Sequence, residues 1–372
     1  MPVTARKMPC MFAHAARVQR ARVSMEKRGI DCLLVGVGAD LEYLSGYRGM
    51  ESERLTMLVI PIDDEPTMLV PKLEAPRVPE GPFRLLPWGE TQEPVALAAG
   101  RAGRPTVIGI GDATWAVFLL EFLSLMPSST FIPASVVTAP LRSVKEAAEV
   151  DALRAAAAAA DRVSVRIPAE VGFTGRTERD VASEVVNMTL EEGHDVASFS
   201  IVASGPNAAS PHHEPGGRVV ERGDSVVIDF GGRRNGYSSD TTRTFTVGPA
   251  GEKLQEVHAV VAQAHAAARS HARAGVSAQS VDAAARGVIS GAGYGEYFIH
   301  RLGHGIGLDG HETPYLVAGN EKVLQPGNAF SIEPGIYLPG DLGVRIEDIA
   351  VIGEDGTLDV LNNADRALLE VE

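Results

Sequence analysis

Apolar runs broken by glycine and proline set the rhythm of this chain. Residues 11–29 place Ala, Val and Met at helical intervals among Arg and Glu, and Gly29 is a stop signal. Asp31–Gly36 is a short apolar strand. Leu55–Pro61 and Thr67–Pro71 are two more, joined by the acidic turn Asp63-Asp64-Glu65. Thr106–Gly111 predicts a further strand and Trp115–Met126 an apolar helix. This alternation predicts a self-contained α/β domain over residues 1–140. Lys145–Arg166, rich in alanine, then predicts a long helix between Pro140 and Pro168, at the junction of two domains.

The second half has a different pattern. Thr177 with Asp180 caps a helix running to about Glu192, and Ser198–Ala203 is a strand. Val226-Val227-Ile228 is a buried-type run ending at Asp229; Gly231, Gly232 and Gly236 mark a turn; Tyr237–Thr246 is the returning strand. Helices follow at Glu252–Ala274 and at Ser280–Ser290, the latter capped at or near Ser280. His300–Leu308 is a glycine-interrupted strand or loop, and Ala329–Ile336 and Val344–Ile352 are late strands. Helix pairs among antiparallel strands predict an α+β domain over residues 141–372. No solenoid-length repeat is visible, and a diverged duplication of helix-plus-hairpin units stays open.

Composition narrows the possibilities. A chain of 372 residues, 45% apolar and 22% charged, suits a two-domain globular protein. The net charge of -14 argues against a nucleic-acid or anionic-membrane partner. No run approaches the roughly 18 apolar residues of a membrane span. The start has basic residues but no apolar segment of a secretory signal. Cys10 and Cys32 give no disulfide framework, so the expected location is cytoplasmic.

Polar residues that interrupt apolar runs carry the chemistry. Asp229 and Asp240 lie on the hairpin, Glu333 ends one late strand, Glu347 sits inside another, and His304 lies in the glycine-rich segment. On the hairpin alone, two solvated turn carboxylates are an equal alternative. Inward-facing carboxylates need compensation. Two divalent cations balance four carboxylates, and oxygen-rich ligation with one nitrogen and no sulfur suits Mn²⁺, Co²⁺, Fe²⁺ or Zn²⁺. Metals about 3.5–4 Å apart in such a site hold a hydroxide nucleophile at neutral pH, which is hydrolytic chemistry. His300 and His304 do not form a helical zinc motif, because Gly303, Gly305 and Gly307 oppose a helix. His300 reads as packing or support. His258, His265 and His271 read as ordinary helix residues, and Tyr237 as a packing residue or a supporting donor.

The stretches VIDFGGRRNGYSSDTTRTF, HRLGHGIGLDGHE, SIEPGIY and GVRIEDIAVI resemble, in order, the motifs of the Xaa-Pro dipeptidase (prolidase) and aminopeptidase P family of metallopeptidases. PHHEPGGRVVERGDSVVIDF and LRSVKEAAEVDALRAA extend the likeness, and DLEYLSG does so less specifically. The resemblance implies a pita-bread catalytic domain over residues 141–372 behind a smaller creatinase-type N-terminal domain. It implies two divalent ions, Mn²⁺ foremost, with Asp229 on one, Asp240 and Glu347 shared, and His304 and Glu333 on the other. Glu333 is also the implied proton acceptor. His212 is the implied substrate-side histidine, with His213 as a rival, and His311 stabilises the tetrahedral intermediate. Arg345 is a candidate for the substrate's carboxylate, the plainer reading pairing it with Asp348 or a ligand carboxylate. The implied activity is removal of the residue before proline, as a dipeptidase, with an aminopeptidase on longer peptides as the alternative. A creatinase-like hydrolase or a non-catalytic binding protein ranks lower, because all five ligand positions are intact. A homodimer is implied, and the long start before Arg17 is unusual for the family and reads as disordered.

Overall fold

The structure is a computed structural model and describes residues 11–372. Cys10 lies outside the described residues. The expectation of disorder before Arg17 fails for residues 11–16, which are helical; residues 1–10 lie outside the described range. The chain divides into two compact units, residues 1–142 and 143–372.

The first unit contains α1 (Met11–Arg28), β1 (Cys32–Gly36), α2 (Ala39–Ser45), β2 (Met57–Pro61), β3 (Thr67–Pro71), β4 (Arg84–Trp88), α3 (Pro94–Ala102), β5 (Val107–Ile110), α4 (Ala116–Leu125), β6 (Thr130–Pro133) and α5 (Ser135–Ser143). Its strands form one mixed sheet in the order β4-β3-β2-β1-β5-β6. Leu33, Leu34, Val59, Leu69 and Ile108 bury its faces. The pattern did not predict α2, α3, α5, β4 or β6. β4 is an edge strand of mostly exposed residues, carries Pro87, and shows no alternation to read.

The second unit contains α6 (Ala147–Glu170), α7 (Glu178–Glu191), β7 (Val196–Ser204), β8 (Ser225–Arg234), β9 (Tyr237–Ser238), β10 (Thr241–Val247), α8 (Glu252–His271), α9 (Ala278–Gly291), β11 (Gly303–Gly305), β12 (Glu312–Leu316), β13 (Ala329–Ile332), β14 (Gly335–Leu338), β15 (Leu342–Arg345), β16 (Asp348–Ile352), β17 (Leu358–Val360) and β18 (Leu369–Val371). Three expectations need correction. α6 runs through Pro168 to Glu170, because a proline in the last turn forfeits only one helical hydrogen bond. α9 begins at Ala278 behind Ser277, while Ser280 Oγ donates back to the Ser277 carbonyl at 2.7 Å. Each late strand is two strands, parted at Glu333-Pro334 and at Ile346-Glu347.

α6 and α7 cover the sheet β18-β10-β8-β7 through Val163, Val185, Phe230 and Phe245. α8 and α9 bury Val257, Val261 and Val281 with Phe330, Ile336 and Val344. The two halves follow one plan. A lone bridge, Thr177↔Val219, precedes α7, and Ser277↔Val323 precedes α9. Left-handed glycines stand at Gly175, Gly193 and Gly223 in one half, and at Gly275, Gly293 and Gly327 in the other. Glycine is needed at such turns because a Cβ disfavours positive φ. Asp229 lies six positions after Gly223, and Glu333 six after Gly327. Asp240 directly precedes β10, and Glu347 directly precedes β16. The second half of the chain is thus a diverged duplication.

Candidate metal centre

Strand pairing brings the polar interruptions together. Asp229, in mid-β8, faces Thr242 across the β8–β10 ladder. Thr242 Oγ1 donates to Glu347 Oε2 at 2.7 Å, and the Glu347 N–H donates to the Thr242 carbonyl at 3.1 Å. Arg243 Nη1 adds bonds to the carbonyls of Thr242 (2.8 Å) and Glu347 (2.6 Å). The hairpin that carries Asp229 and Asp240 is thereby bolted to the strand break that carries Glu347. Ser331 Oγ receives the His304 N–H at 3.0 Å and donates to Glu333 Oε1 at 3.1 Å. His304 and Glu333 thus share one support.

Three trios result, each with one ligand atom per residue within 4.8 Å of the others: Asp229–Asp240–Glu347, His304–Glu333–Glu347 and Asp240–His304–His311. Asp240 and Glu347 each belong to two of them. His304 Nε2 lies 3.2 Å from Glu333 Oε1 and 3.6 Å from Asp240 Oδ2. Its Nδ1 contacts the Gly305 carbonyl at 3.1 Å. A carbonyl only accepts, so that geometry places a proton on Nδ1 and turns Nε2 toward the carboxylates.

Bare, this cluster is electrostatically unfavourable. Burial first, then the neighbouring carboxylates, push Asp240 and Glu347 well above the usual range. Burial also raises Asp229, against the pull of Arg345. Burial acts on Glu333 too, but the hydrogen bond and charge of His304, with His300 and Arg345, outweigh it and hold the carboxyl at about 2. Asp229 Oδ1 is buried without a hydrogen-bond partner. An orphaned carboxylate oxygen and three clustered carboxyls driven toward neutrality are what a cation site shows without its cation. The donor set fits divalent metal ions.

Arg345, expected at the substrate, is buried and gives its donors to the protein. Nη2 binds Asp229 Oδ2 at 2.7 Å, Nη1 the Tyr337 hydroxyl at 2.9 Å and Nε Thr242 Oγ1 at 3.1 Å. It pairs with a ligand carboxylate and not with Asp348, which is held by Arg243, Arg366 and His265. Tyr337, its hydroxyl pushed up to about 12 by burial, lies 2.9 Å from His300 Nε2. His300 Nδ1 lies 2.7 Å from the Arg301 carbonyl. The proton order is therefore fixed: Nδ1–H to the carbonyl, Tyr337 O–H to Nε2, and Arg345 to the Tyr337 oxygen. His258 and His265 are buried, His271 bonds Ser280 Oγ, and the Tyr237 hydroxyl donates to Glu149.

His212 and His311 lie in the wall of the cavity that holds the cluster, with Phe199, Ile201 and Pro211. The His311 ring centroid is 3.9 Å from that of His304. Burial, with His304 and Arg301 nearby, lowers His311 to about 4, so its ring is neutral near pH 7. Beside it, buried Lys145 pairs with Glu312. His213 turns away to Glu178 Oε2 at 2.7 Å. The pattern missed Glu178, which reads as a first-turn helix acid. It is buried and also accepts from the Ser204 N–H and hydroxyl, from Asn207 and from the Gly216 N–H. One carboxylate thus anchors both ends of the loop that presents His212. Glu178→Gln puts an amide N–H against these donors. It is expected to cost about 3 kcal/mol of stability and roughly tenfold in kcat/KM, with metal content unchanged by elemental analysis.

Comparison with known proteins follows this geometry. Residues 151–354 match the model of metallopeptidase family M24, and residues 17–144 match the creatinase/prolidase N-terminal domain. The chain is 42% identical over 368 residues to the "Probable dipeptidase PepE" of Mycobacterium tuberculosis, covering 96% of both chains. It is 36% identical to the "Xaa-Pro dipeptidase" of Lactobacillus helveticus, over 85% of this chain and 88% of that one. The crystal structure of the prolidase from Thermococcus sibiricus matches with a TM-score of 0.93 at 37% identity, covering 98% of this chain and 100% of that one. With its pita-bread catalytic fold behind a creatinase-type N-terminal domain, the chain belongs to metallopeptidase family M24.

Proposed function

We propose that this peptidase hydrolyses the bond between a first residue and proline, acting as an Xaa-Pro dipeptidase. The observation that carries the reading is the pair of trios that share Glu347, with an orphaned Asp229 oxygen in one and the His304 imidazole in the other. Relatives named Xaa-Pro dipeptidase and prolidase support the substrate class. In this reading residues 141–372 carry the catalysis and residues 1–140 form the N-terminal domain.

Asp229, Asp240, His304, Glu333 and Glu347 would hold the divalent ions, with Asp240 and Glu347, each in two of the trios, placed to serve both. Bound divalent ions, Mn²⁺ by resemblance and Co²⁺, Zn²⁺ or Fe²⁺ by donor type, supply a Lewis acid and a water of lowered pKa. Glu333, ionised at neutral pH, takes the proton of the attacking water and delivers it to the departing nitrogen. That delivery is necessary in any amide hydrolysis, because the nitrogen leaves only once protonated, here as the secondary amine of proline. Neutral His311 has an N–H to donate to oxygen charge developing on the scissile carbonyl, and His212 orients the substrate from the facing wall. Phe199, Ile201 and Pro211 give the cavity, about 480 Å³, an apolar wall suited to a small ring. Arg345, bonded to Asp229 Oδ2, aims that carboxylate and partly offsets the cost of its burial.

Hydrolysis of an Xaa-Pro dipeptide and of an Xaa-Pro-Xaa tripeptide, with and without Mn²⁺, is the deciding measurement. Turnover of the dipeptide in preference to the tripeptide is expected. Preference for the tripeptide would make the enzyme an aminopeptidase, and no turnover with any divalent ion would remove the Xaa-Pro reading. About two metals per chain by elemental analysis separates this reading from a metal-free creatinase-like hydrolase or a binding protein. A homodimer rests on the resemblance and a cytoplasmic location on the sparse cysteines, and sedimentation tests the former. Among the described residues no helix is long and apolar enough to cross a membrane.

A further inference from the structure

The cavity wall carries two arginines, Arg301 and Arg345. Arg345 is committed to Asp229, Tyr337 and Thr242. Arg301 differs: its guanidinium carbon lies over the Tyr315 ring, 4.4 Å from the centroid. Among the described residues it forms no ion pair and no side-chain hydrogen bond, although the cavity below it holds four carboxylates. Stacking fixes the plane of a guanidinium and leaves its edge N–H groups free, the arrangement that receives a carboxylate with two parallel hydrogen bonds.

We propose that Arg301 grips the C-terminal carboxylate of the substrate and is the residue that makes this site prefer dipeptides. The proposal rests on the Xaa-Pro reading and deepens it. Arg301 lies three positions before His304, which keeps the two backbones within about 10 Å. A substrate whose scissile bond sits at the carboxylate cluster places its terminal carboxylate about one residue farther, roughly 3.5 Å along the chain. The length of the arginine side chain spans the remainder. A longer peptide presents a neutral amide there, and Arg301 is left desolvated without a counter-charge. Selectivity then arises from an unmet charge as well as from a contact made. Arg345, buried behind Asp229, is already held by Asp229, Tyr337 and Thr242, with its charge paired to Asp229.

The test compares kcat/KM on Ala-Pro, Ala-Pro-amide, Glu-Pro-amide and Ala-Pro-Ala for the Mn²⁺-loaded wild type, Arg301→Gln and Arg301→Lys. Melting temperature and metal content are measured for each protein. The wild type is expected to favour Ala-Pro over Ala-Pro-amide by roughly 10- to 100-fold, the worth of a hydrogen-bonded charge. Arg301→Gln should collapse that ratio toward one, and Arg301→Lys should restore part of it. A purely structural role of the Arg301–Tyr315 stack would lower both substrates together and leave the ratio intact, which overturns the proposal. So does a loss confined to Glu-Pro-amide, because the carboxylate recognised is then a side chain's. Absence of wild-type turnover on every substrate removes the Xaa-Pro reading itself, whereas wild-type turnover with an unchanged ratio in Arg301→Gln removes only the role of Arg301.

Discussion

Asp240→Asn is expected to impair both metal positions and lower kcat by roughly 10³-fold or more, whereas Asp229→Asn mainly empties one. Asp240 belongs to a trio with Asp229 and Glu347 and to another with His304 and His311, while Asp229 belongs to one. Loss of several kcal/mol of charge stabilisation corresponds to a rate loss of that size. Calorimetric titration with Mn²⁺ separates the variants, and identical metal loss in the two would show the division of labour to be wrong. A second sign distinguishes metal loss from misfolding. Without metal, burial and the repulsion of Asp229 and Glu333 disfavour ionised Asp240. Metal-free Asp240→Asn should therefore melt above the metal-free wild type near pH 7, and the metal-loaded variant below its wild-type counterpart.

Stripping the metal is expected to destabilise the protein more at pH 8 than at pH 5. Asp229, Asp240 and Glu347 have raised pKa values in the fold, so the metal-free native state binds more protons than the unfolded chain. Their contribution to stability is present below the ordinary carboxylate range and is lost as pH rises through the raised values. Glu333, at about 2, has the opposite sense, but its contribution changes only at pH values below the 5–8 window. Cations remove the penalty by keeping the carboxylates ionised, so metal binding releases protons and tightens with pH. A site held at a thousand times its Kd is worth about 4 kcal/mol. At 2–4 °C per kcal/mol for a unit of this size, two such sites shift the melt by roughly 15–30 °C. Melting with and without chelator at the two pH values checks this; an equal or larger shift at pH 5 would contradict it.

The clustered polar residues were legible because a carboxylate or imidazole interrupting an apolar strand is costly unless compensated, and that cost shows in one dimension. Asp229 after Val226-Val227-Ile228 and Glu333 after Ile332 are of this kind. Their supports were not legible, because they act through pairings far apart in sequence. Thr242 reaches Glu347 across 105 positions, and Arg345 reaches Asp229 across 116. Tyr337 looks like one more apolar strand residue, and Glu178 like a helix-cap acid. Arg301 drew no notice beside His300 and His304, since an arginine's role depends on what is absent around it. In the first unit, β4 and β6 escaped because both are edge strands of mixed exposure.

The repeat in the catalytic unit has a consequence for ancestry. Asp229 and Glu333 occupy equivalent places after Gly223 and Gly327, and Asp240 and Glu347 equivalent places before β10 and β16. A half-length ancestor would have owned one outer and one shared carboxylate, too few to hold either ion. Two copies meeting about a twofold axis would complete a symmetric pair of ions between them. Fusion into one chain freed the halves to diverge, and the imidazole of His304 now comes from one half alone. That departure gives the cluster a polarity: one trio offers only oxygen and another offers nitrogen, so a peptide bound across them would have a defined head and tail.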